Sequence, residues 1–333
     1  MSDYRISIVI PCRNEEQYIG RCLQSIINVD YPLQQLEVFV CDGMSNDGTQ
    51  KIVNEFAREY PIINQLVNHQ QTTPQALNLG IKHASGDIIV ILGAHSELLP
   101  DYLTRCLESL HAHPEAGGVG GILDNQFTNP VSELIGYAMS SSFGVGDAYF
   151  RTGMKEGYAD TVVFGAYRKE VFEKVGLFDE TLVRNQDDEF NFRVLQHGYK
   201  LWLDKSVVSK YHVRSSFGRL FKQYFQYGLW KVYVNKKHRT ITTSRQLVPF
   251  LFILFLAAGA IASCFNQWIL TGYLSVIGLY LILASIVSFR LVHQISKIPG
   301  LIVIFFVLHM SYGLGYLSGV IKFLFLGYGS KRN

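Results

Sequence analysis

Three short polar motifs hold the residues of this 333-residue chain best suited to chemistry. Asp42 closes an apolar run, Leu36-Glu37-Val38-Phe39-Val40-Cys41, and is followed by Gly43 and by helix-starting residues, Ser45-Asn46-Asp47-Gly48-Thr49. A carboxylate placed there can accept a hydrogen bond from a ligand N–H. The stretch Asn185-Gln186-Asp187-Asp188-Glu189-Phe190-Asn191-Phe192-Arg193 sets three consecutive acids before an apolar periodicity. Adjacent carboxylates raise one another's pKa, which suits a proton acceptor. Acids at a helix start are also favoured by the helix dipole alone, so the cluster by itself leaves both readings open. Between the two lies Gly93-Ala94-His95-Ser96-Glu97, an imidazole motif at the end of another apolar run.

The elements that must position these residues alternate. Residues 6–10, 37–41, 62–67 and 88–92 read as buried strands, with helices up to 27, over 48–60 and over 74–84. Strand–helix alternation predicts an α/β fold, a mostly parallel sheet with helices on both faces. Ligands of such sheets sit beyond the carboxyl ends of the strands. The segments Pro11 to Glu15, Asp42 to Ser45 and Gly93 to Glu97 all follow strand ends and should meet on one rim. Residues 125–158, rich in Ser, Gly, Asn and aromatics without a clear period, read as a long binding region. A short helix is expected to follow Gly165-Ala166-Tyr167-Arg168-Lys169 and to end at Val175-Gly176.

A net charge of +3 gives no reason to expect nucleic acid. Five scattered cysteines without a Cys-x-x-Cys pair read as apolar fillers in a reducing compartment. No signal peptide precedes the first strand, so the polar part is expected in the cytosol. Apolar composition is concentrated after residue 247. Segments 247–265 and 268–289 are uncharged and long enough to cross a bilayer; 300–328 is interrupted by Gly313, Gly315, Gly319 and Lys322 and either crosses or re-enters. Arg290 and Lys297 place the second loop on the cytosolic side, and Lys331 and Arg332 favour a hairpin for the third segment. Residues 214–240, with Phe217, Leu220, Phe221, Tyr224, Phe225, Leu229 and Val232 on helical spacing, form an amphipathic helix. It suits either the headgroup region or a protein surface. The expected organisation is a cytosolic domain over 1–213, this helix, and the apolar region 247–328.

Pro11-Cys12-Arg13-Asn14-Glu15, Asp42-Gly43 and Ala76-x-Asn78-x-Gly80, in that order, resemble the nucleotide-sugar fingerprint of the family 2 glycosyltransferases, over about residues 6–211. The resemblance implies a Rossmann-like GT-A fold and an inverting transfer from a nucleotide sugar. It implies that Pro11, Arg13, Glu15, Asp42, Gly43 and Asn78 hold the nucleotide. Gln186 to Arg193 resembles the family's Glu-Asp-x-Glu-Leu-x-x-Arg, which makes Asp187 the catalytic base and leaves Asp188 as rival base or acceptor contact. The family's Asp-x-Asp metal motif is replaced by Gly93-Ala94-His95. Either His95 ligates a divalent cation, Mn2+ in preference to Mg2+, with Glu97 as helper, or it only hydrogen-bonds the diphosphate. Gln226-Tyr227-Gly228-Leu229-Trp230-Lys231 loosely resembles the Gln-x-x-Arg-Trp of processive synthases, implying acceptor contacts from Gln226 and Trp230. Its extra residue and Lys for Arg argue against a processive polymerase.

Segments 143–151, 160–162 and 164–168 resemble the succinoglycan and exopolysaccharide branch. The implied activity is hexose transfer, with UDP-glucose as donor, to a lipid-linked saccharide. The implied setting is a bacterial-type inner membrane crossed several times, with the catalytic domain cytosolic and other glycan-assembly enzymes as partners. Two rivals remain: transfer directly to polyprenyl phosphate, and an inactive membrane protein that only binds nucleotide sugar. An NAD-binding reading fails because no Gly-x-Gly-x-x-Gly opens the first helix.

Overall fold

The computed structural model describes residues 4–213, 215–242 and 244–328. The chain forms two compact units, one of residues 1–125 and 149–212, the other of 126–148 and 213–333. In the first, β1 (Ile6–Cys12), β2 (Leu36–Asp42), β3 (Ile63–Val67) and β4 (Ile88–Ile91) alternate with α1 (Ile19–Ile27), α2 (Thr49–Glu59) and α3 (Thr73–His83). The pairs β1–β2, β2–β3 and β1–β4 are parallel and in continuous register, as the alternation predicts. Side chains alternate across β1. Ile8 and Ile10 pack with Leu23 of α1, whereas Val9 packs with Leu77 and Ile81 of α3. Burial on both faces is why these strands read as uninterrupted apolar runs.

The second half of the sheet was not legible as strands. It comprises β5 (Ser96–Leu98), β6 (Ala116–Gln126), β7 (Gly157–Tyr158), β8 (Ala166–Arg168) and β9 (Lys200–His212). The full order is β3-β2-β1-β4-β8-β6-β9-β5, with β7 on β9. The pairs β4–β8, β6–β8, β5–β9 and β7–β9 are antiparallel, so the sheet is mixed and only its first half is parallel. Helix α4 (Tyr102–Ala112) lies among the residues packed with Ile8 and Ile10.

Residues 125–158, expected to lack regular structure, contain three helices: α5 (Pro130–Met139), α6 (Ser142–Val145) and α7 (Tyr149–Thr152). The first has a capping box, Asn129 accepting from the Ser132 N–H and Ser132 from the Asn129 N–H, with Pro130 leading the first turn. The expected short helix is α8 (Lys169–Val175), and α9 (Gln186–Gln196) carries the acid cluster. All four cysteines in the first unit, Cys12, Cys22, Cys41 and Cys106, are buried and free, as small apolar fillers should be.

The second unit holds α10 (Phe217–His238), α11 (Val248–Ser263), α12 (Gln267–Leu291) and α13 (Ile298–Gly319). Three helical stretches, Ser244–Ser263, Gln267–Leu291 and Ile295–Phe325, are long and apolar enough to cross a membrane. The third runs on from α13 through a π-helical turn, Val320–Phe325, without reversing. That excludes a hairpin within the described residues; Lys331 and Arg332 lie outside them. Its glycines are contact points, not breaks. A Cβ at Gly313 would strike the Pro249 carbonyl, one at Gly315 the Phe225 carbonyl, and one at Gly228 of α10 the Tyr312 carbonyl. Small residues that let helix backbones meet are the usual interface between apolar helices. Helix α10 therefore buries its stripe, Leu220, Tyr224, Gly228, Val232 and Val234, and Val232 packs with Tyr316 and Phe323.

Segment 126–148 is tied to these helices by polar contacts. Lys297 donates to both oxygens of Glu133 at 2.7 and 2.8 Å. Arg245 meets Asp147 at 2.7 Å. His309 bridges the Tyr280 hydroxyl (3.0 Å) and the Phe143 carbonyl (2.8 Å).

Candidate active site

The loops after β1, β2 and β4 meet on one rim, as expected. The Asn14 N–H donates to Ser45 Oγ (2.8 Å), the Asn46 N–H to Asn14 Oδ1 (3.0 Å), and the Glu15 N–H to Thr49 Oγ1 (2.8 Å). Asn14 and Met44 take left-handed backbone (φ 54° and 56°), the tight reversals that let the two loops interlock. Gly43 passes close to Arg13, where a Cβ would sit 3.3 Å from the Arg13 side chain. The Glu15 carboxylate lies 3.8 Å from His95 Nδ1, linking the β1 loop to the loop after β4. Pro11, Arg13, Glu15, Asp42, Gly43 and His95 are thus brought together.

The two carboxylates of β2 do different work. Glu37, at the start of the strand, accepts from Ser7 (2.5 Å), from the Ser85 N–H (2.6 Å) and hydroxyl, and from the Gly86 N–H (3.1 Å). Burial opposes its charge, but those donors and Arg5 hold its carboxyl below the usual range. It is a structural knot at the edge away from the rim. Asp42, at the other end, is fully buried and accepts from Ser45 Oγ (2.5 Å), the Ser45 N–H (3.1 Å) and Gln50 Nε2 (2.8 Å). Much of its acceptor capacity shapes the loop that carries Gly43 and Ser45.

Asn78 stands elsewhere. Its amide donates to the Phe178 carbonyl and to Glu180, and accepts from the Phe178 N–H, all at 2.9 Å. It clamps α3 to the loop after α8, so it positions that loop and its amide is engaged there.

The acid cluster divides the same way. Glu189 is wholly buried and paired with Arg193 Nε through both oxygens (3.0 and 3.1 Å), while Arg193 also donates to the carbonyls of Val175 and Leu177. Asn191 accepts from Tyr167 (2.7 Å) and donates to Thr161 and the Val162 carbonyl. These bonds fix α9 so that its first turn presents Asp187 and Asp188. Asp187 is exposed to solvent, yet neighbouring protein desolvates it. Desolvation, then the charge of Asp188, raises its carboxyl above the ordinary range, against backbone N–H groups and the charge of Arg151. A raised carboxylate open to solvent is suited to accept a proton.

The imidazole motif is explained by its neighbours. A Cβ at Gly93 would lie 2.9 Å from the Phe164 ring, so an acid where the family pattern has one would have to displace that ring. Glu97 is held by His212 at 2.7 Å and Lys210 at 3.8 Å, which occupies the expected metal helper. No group of three or more His, Cys, Asp or Glu among the described residues is arranged to hold a metal. His95 with Glu15 offers a partial shell that phosphate oxygens of a substrate could complete. Two side chains were given no role by the sequence. Tyr211 meets the His95 ring edge-on at 5.2 Å, and the Arg151 guanidinium lies 5.3 Å from the Tyr211 ring centre. Gln226 and Trp230, in the second unit, bond to each other (3.1 Å), and the Trp230 ring packs on Phe323 at 5.4 Å.

Comparisons with known proteins show the family of the chain. The family model "Glycosyl transferase family 2" matches residues 7–176. A Methanococcus voltae protein, dolichyl N-acetyl-alpha-D-glucosaminyl phosphate 3-beta-D-2,3-diacetamido-2,3-dideoxy-beta-D-glucuronosyltransferase, is 32% identical over 95% of this chain and 97% of its own. The succinoglycan biosynthesis protein ExoA of Rhizobium meliloti (strain 1021) is 30% identical over 78% of each. A mannosyltransferase from Pyrobaculum calidifontis, solved in complex with GDP-Man and Mn2+, superposes with a TM-score of 0.65 at 20% identity, covering 94% of this chain and 87% of that one. The last likeness concerns the fold, which is GT-A. On the match of its rim-forming half and on its near full-length relatives, this chain belongs to glycosyl transferase family 2.

Proposed function

We propose that the protein is an inverting hexosyltransferase that moves a sugar from a nucleotide donor, UDP-glucose by family resemblance, to a lipid-linked saccharide. The observation that carries this is Asp187, a solvent-reachable carboxyl raised by crowding and by Asp188, on a helix start pinned by Glu189 and Asn191. Asp187 takes the proton of the acceptor hydroxyl as that oxygen attacks the anomeric carbon. The bond to the diphosphate breaks on the opposite face, which inverts the centre. Arg13, Glu15, Asp42 and Gly43 form the nucleotide side of the rim, and Asp188 is an acceptor contact or second base. A divalent cation, when bound, would neutralise the departing diphosphate, with His95 as its protein ligand.

A lipid-linked acceptor is supported by the relative named for a dolichyl-linked N-acetylglucosaminyl phosphate and by the one named for succinoglycan biosynthesis. It is further supported by three helices long and apolar enough to cross a membrane. Arg290 in the last turn of the second and Lys297 at the start of the third favour a cytosolic active site at an inner membrane. Gln226 and Trp230 are assigned to the acceptor side.

The test is thermal stabilisation of the detergent-solubilised full chain by a panel of UDP- and GDP-sugars. A ligand bound only by the native state raises the melting temperature. One nucleotide sugar should stand out; a panel without effect at saturating concentration overturns the donor reading.

A further inference from the structure

Arg151 belongs to no motif with an assigned role, yet its surroundings are built. Its guanidinium lies 5.4 Å from the Phe150 ring centre and 5.3 Å from that of Tyr211. Tyr211 is 5% exposed, so this platform is fixed. On β9 it pairs with Ser96, and the His212 N–H donates to the His95 carbonyl (3.3 Å). The same ring meets His95 edge-on, and His95 faces Glu15. The Arg151 charge also acts on the Asp187 carboxyl, lowering it against the desolvation that raises it. One cation is thus linked through the Tyr211 ring to the imidazole of the strand-end motif, and its charge reaches the proposed base.

We infer that Arg151 is a protein-borne cation for the diphosphate of the sugar donor, seated on Tyr211 beside His95. The inference rests on the nucleotide-sugar reading above and adds the group that receives the leaving charge. When the anomeric C–O bond breaks, its electron pair goes to the β-phosphate oxygen and the diphosphate gains a negative charge. A guanidinium over an aromatic ring keeps its N–H groups in plane, where they can donate in pairs to phosphate oxygens. Such a cation matters more here than in a site with two metal-binding acids, because Phe164 fills the space at Gly93 and His95 stands in for the other acid.

The experiment is titration calorimetry on the full chain in detergent, with UDP and uridine, and GDP and guanosine in parallel, in Mn2+ and in EDTA. Arg151→Gln should weaken the preferred nucleoside diphosphate by about 10–100-fold, the size of one lost charge-assisted contact, and more in EDTA than in Mn2+. Affinity for the nucleoside alone should not change. Arg151→Lys, which keeps the charge but not the paired donors, should fall between, and it decides the matter if the Gln variant does not fold. Undiminished diphosphate affinity in a folded Arg151 variant overturns the inference and leaves the donor reading standing. A native chain that binds none of the four probes overturns both.

Discussion

The three adjacent acids of α9 should respond to substitution in opposite ways. Glu189→Gln leaves Arg193, half-buried with a side chain 15% exposed, beside a neutral amide at the fully buried position, and Arg193 also holds the Val175 and Leu177 carbonyls. Breaking a buried pair by removing one charge typically costs about 3–5 kcal/mol; the retained amide oxygen argues for the lower figure. At about 2–4 °C per kcal/mol for a unit of this size, the melting temperature should drop by about 6–12 °C. Below that transition each folded molecule should still turn over near the native rate. Asp187→Asn should do the reverse. A carboxyl raised in the folded state favours folding while protonated, and this advantage is lost as pH climbs from the unfolded value through the folded one. At neutral pH the ionised Asp187 therefore costs stability, and Asn removes that cost. The variant should melt no lower than the native chain at pH 7, while transfer falls about a hundredfold to ten-thousandfold. Melting curves from pH 4 to 8 with initial rates of sugar transfer decide it: the native-minus-variant difference should move against the native chain as pH rises. A Glu189→Gln enzyme that is inactive though folded, or an Asp187→Asn enzyme that is active but unstable, would refute this division of labour.

Other outcomes are expected elsewhere. If His95 ligates a cation, chelator should abolish most transfer, Mn2+ should restore it better than Mg2+, and His95→Asp should narrow that gap by restoring an oxygen ligand; activity indifferent to chelator makes His95 a diphosphate hydrogen-bond donor. Gly93→Asp should not rebuild a metal motif but displace Phe164, at a cost of about 1–3 kcal/mol measured by denaturation. Gly315→Leu should part α13 from α10 at the Phe225 carbonyl, lowering the melting temperature without changing nucleotide affinity. Removing everything after Lys236 should give a chain that aggregates without detergent, since Glu133, Asp147 and the Phe143 carbonyl lose their partners; a monodisperse peak on size exclusion contradicts this.

What could be read in the sequence depended on how each element satisfies itself. Strands β1 to β4 are buried on both faces, so they appear as apolar runs, and their helices follow from period and breakers. Strands β5, β7 and β8 span only two or three residues, too few to show a period. In β6, Gly117, Gly118, Gly120 and Gly121 blur the alternation that would mark a strand. A Cβ at Gly121 would strike the Val207 carbonyl and one at Gly118 would lie 2.5 Å from the Tyr167 ring, so they are there for close strand packing. The helix after Asn129 did have a signal, an Asn N-cap followed by Pro130, hidden by the Ser- and Gly-rich stretch around it.

The same logic separates the legible part of the site from the rest. Strand-end loops announce themselves, because an acid or imidazole that ends an apolar run must lie at the rim of the sheet. Asn78 sits in a motif that reads as a nucleotide contact, but its partners are 100 and 102 residues further on, and no local pattern could show that its amide is engaged. Glu189 and Asp187 look alike in sequence. They differ because a helix turns about 100° per residue, which sends one carboxylate inward to Arg193 at i+4 and leaves the other facing solvent. Arg151 and Tyr211 are 60 residues apart and neither type is distinctive alone. Only the pairing of β9 with β5 sets Tyr211 beside His95, and only then does a guanidinium stacked on that ring acquire a chemical meaning.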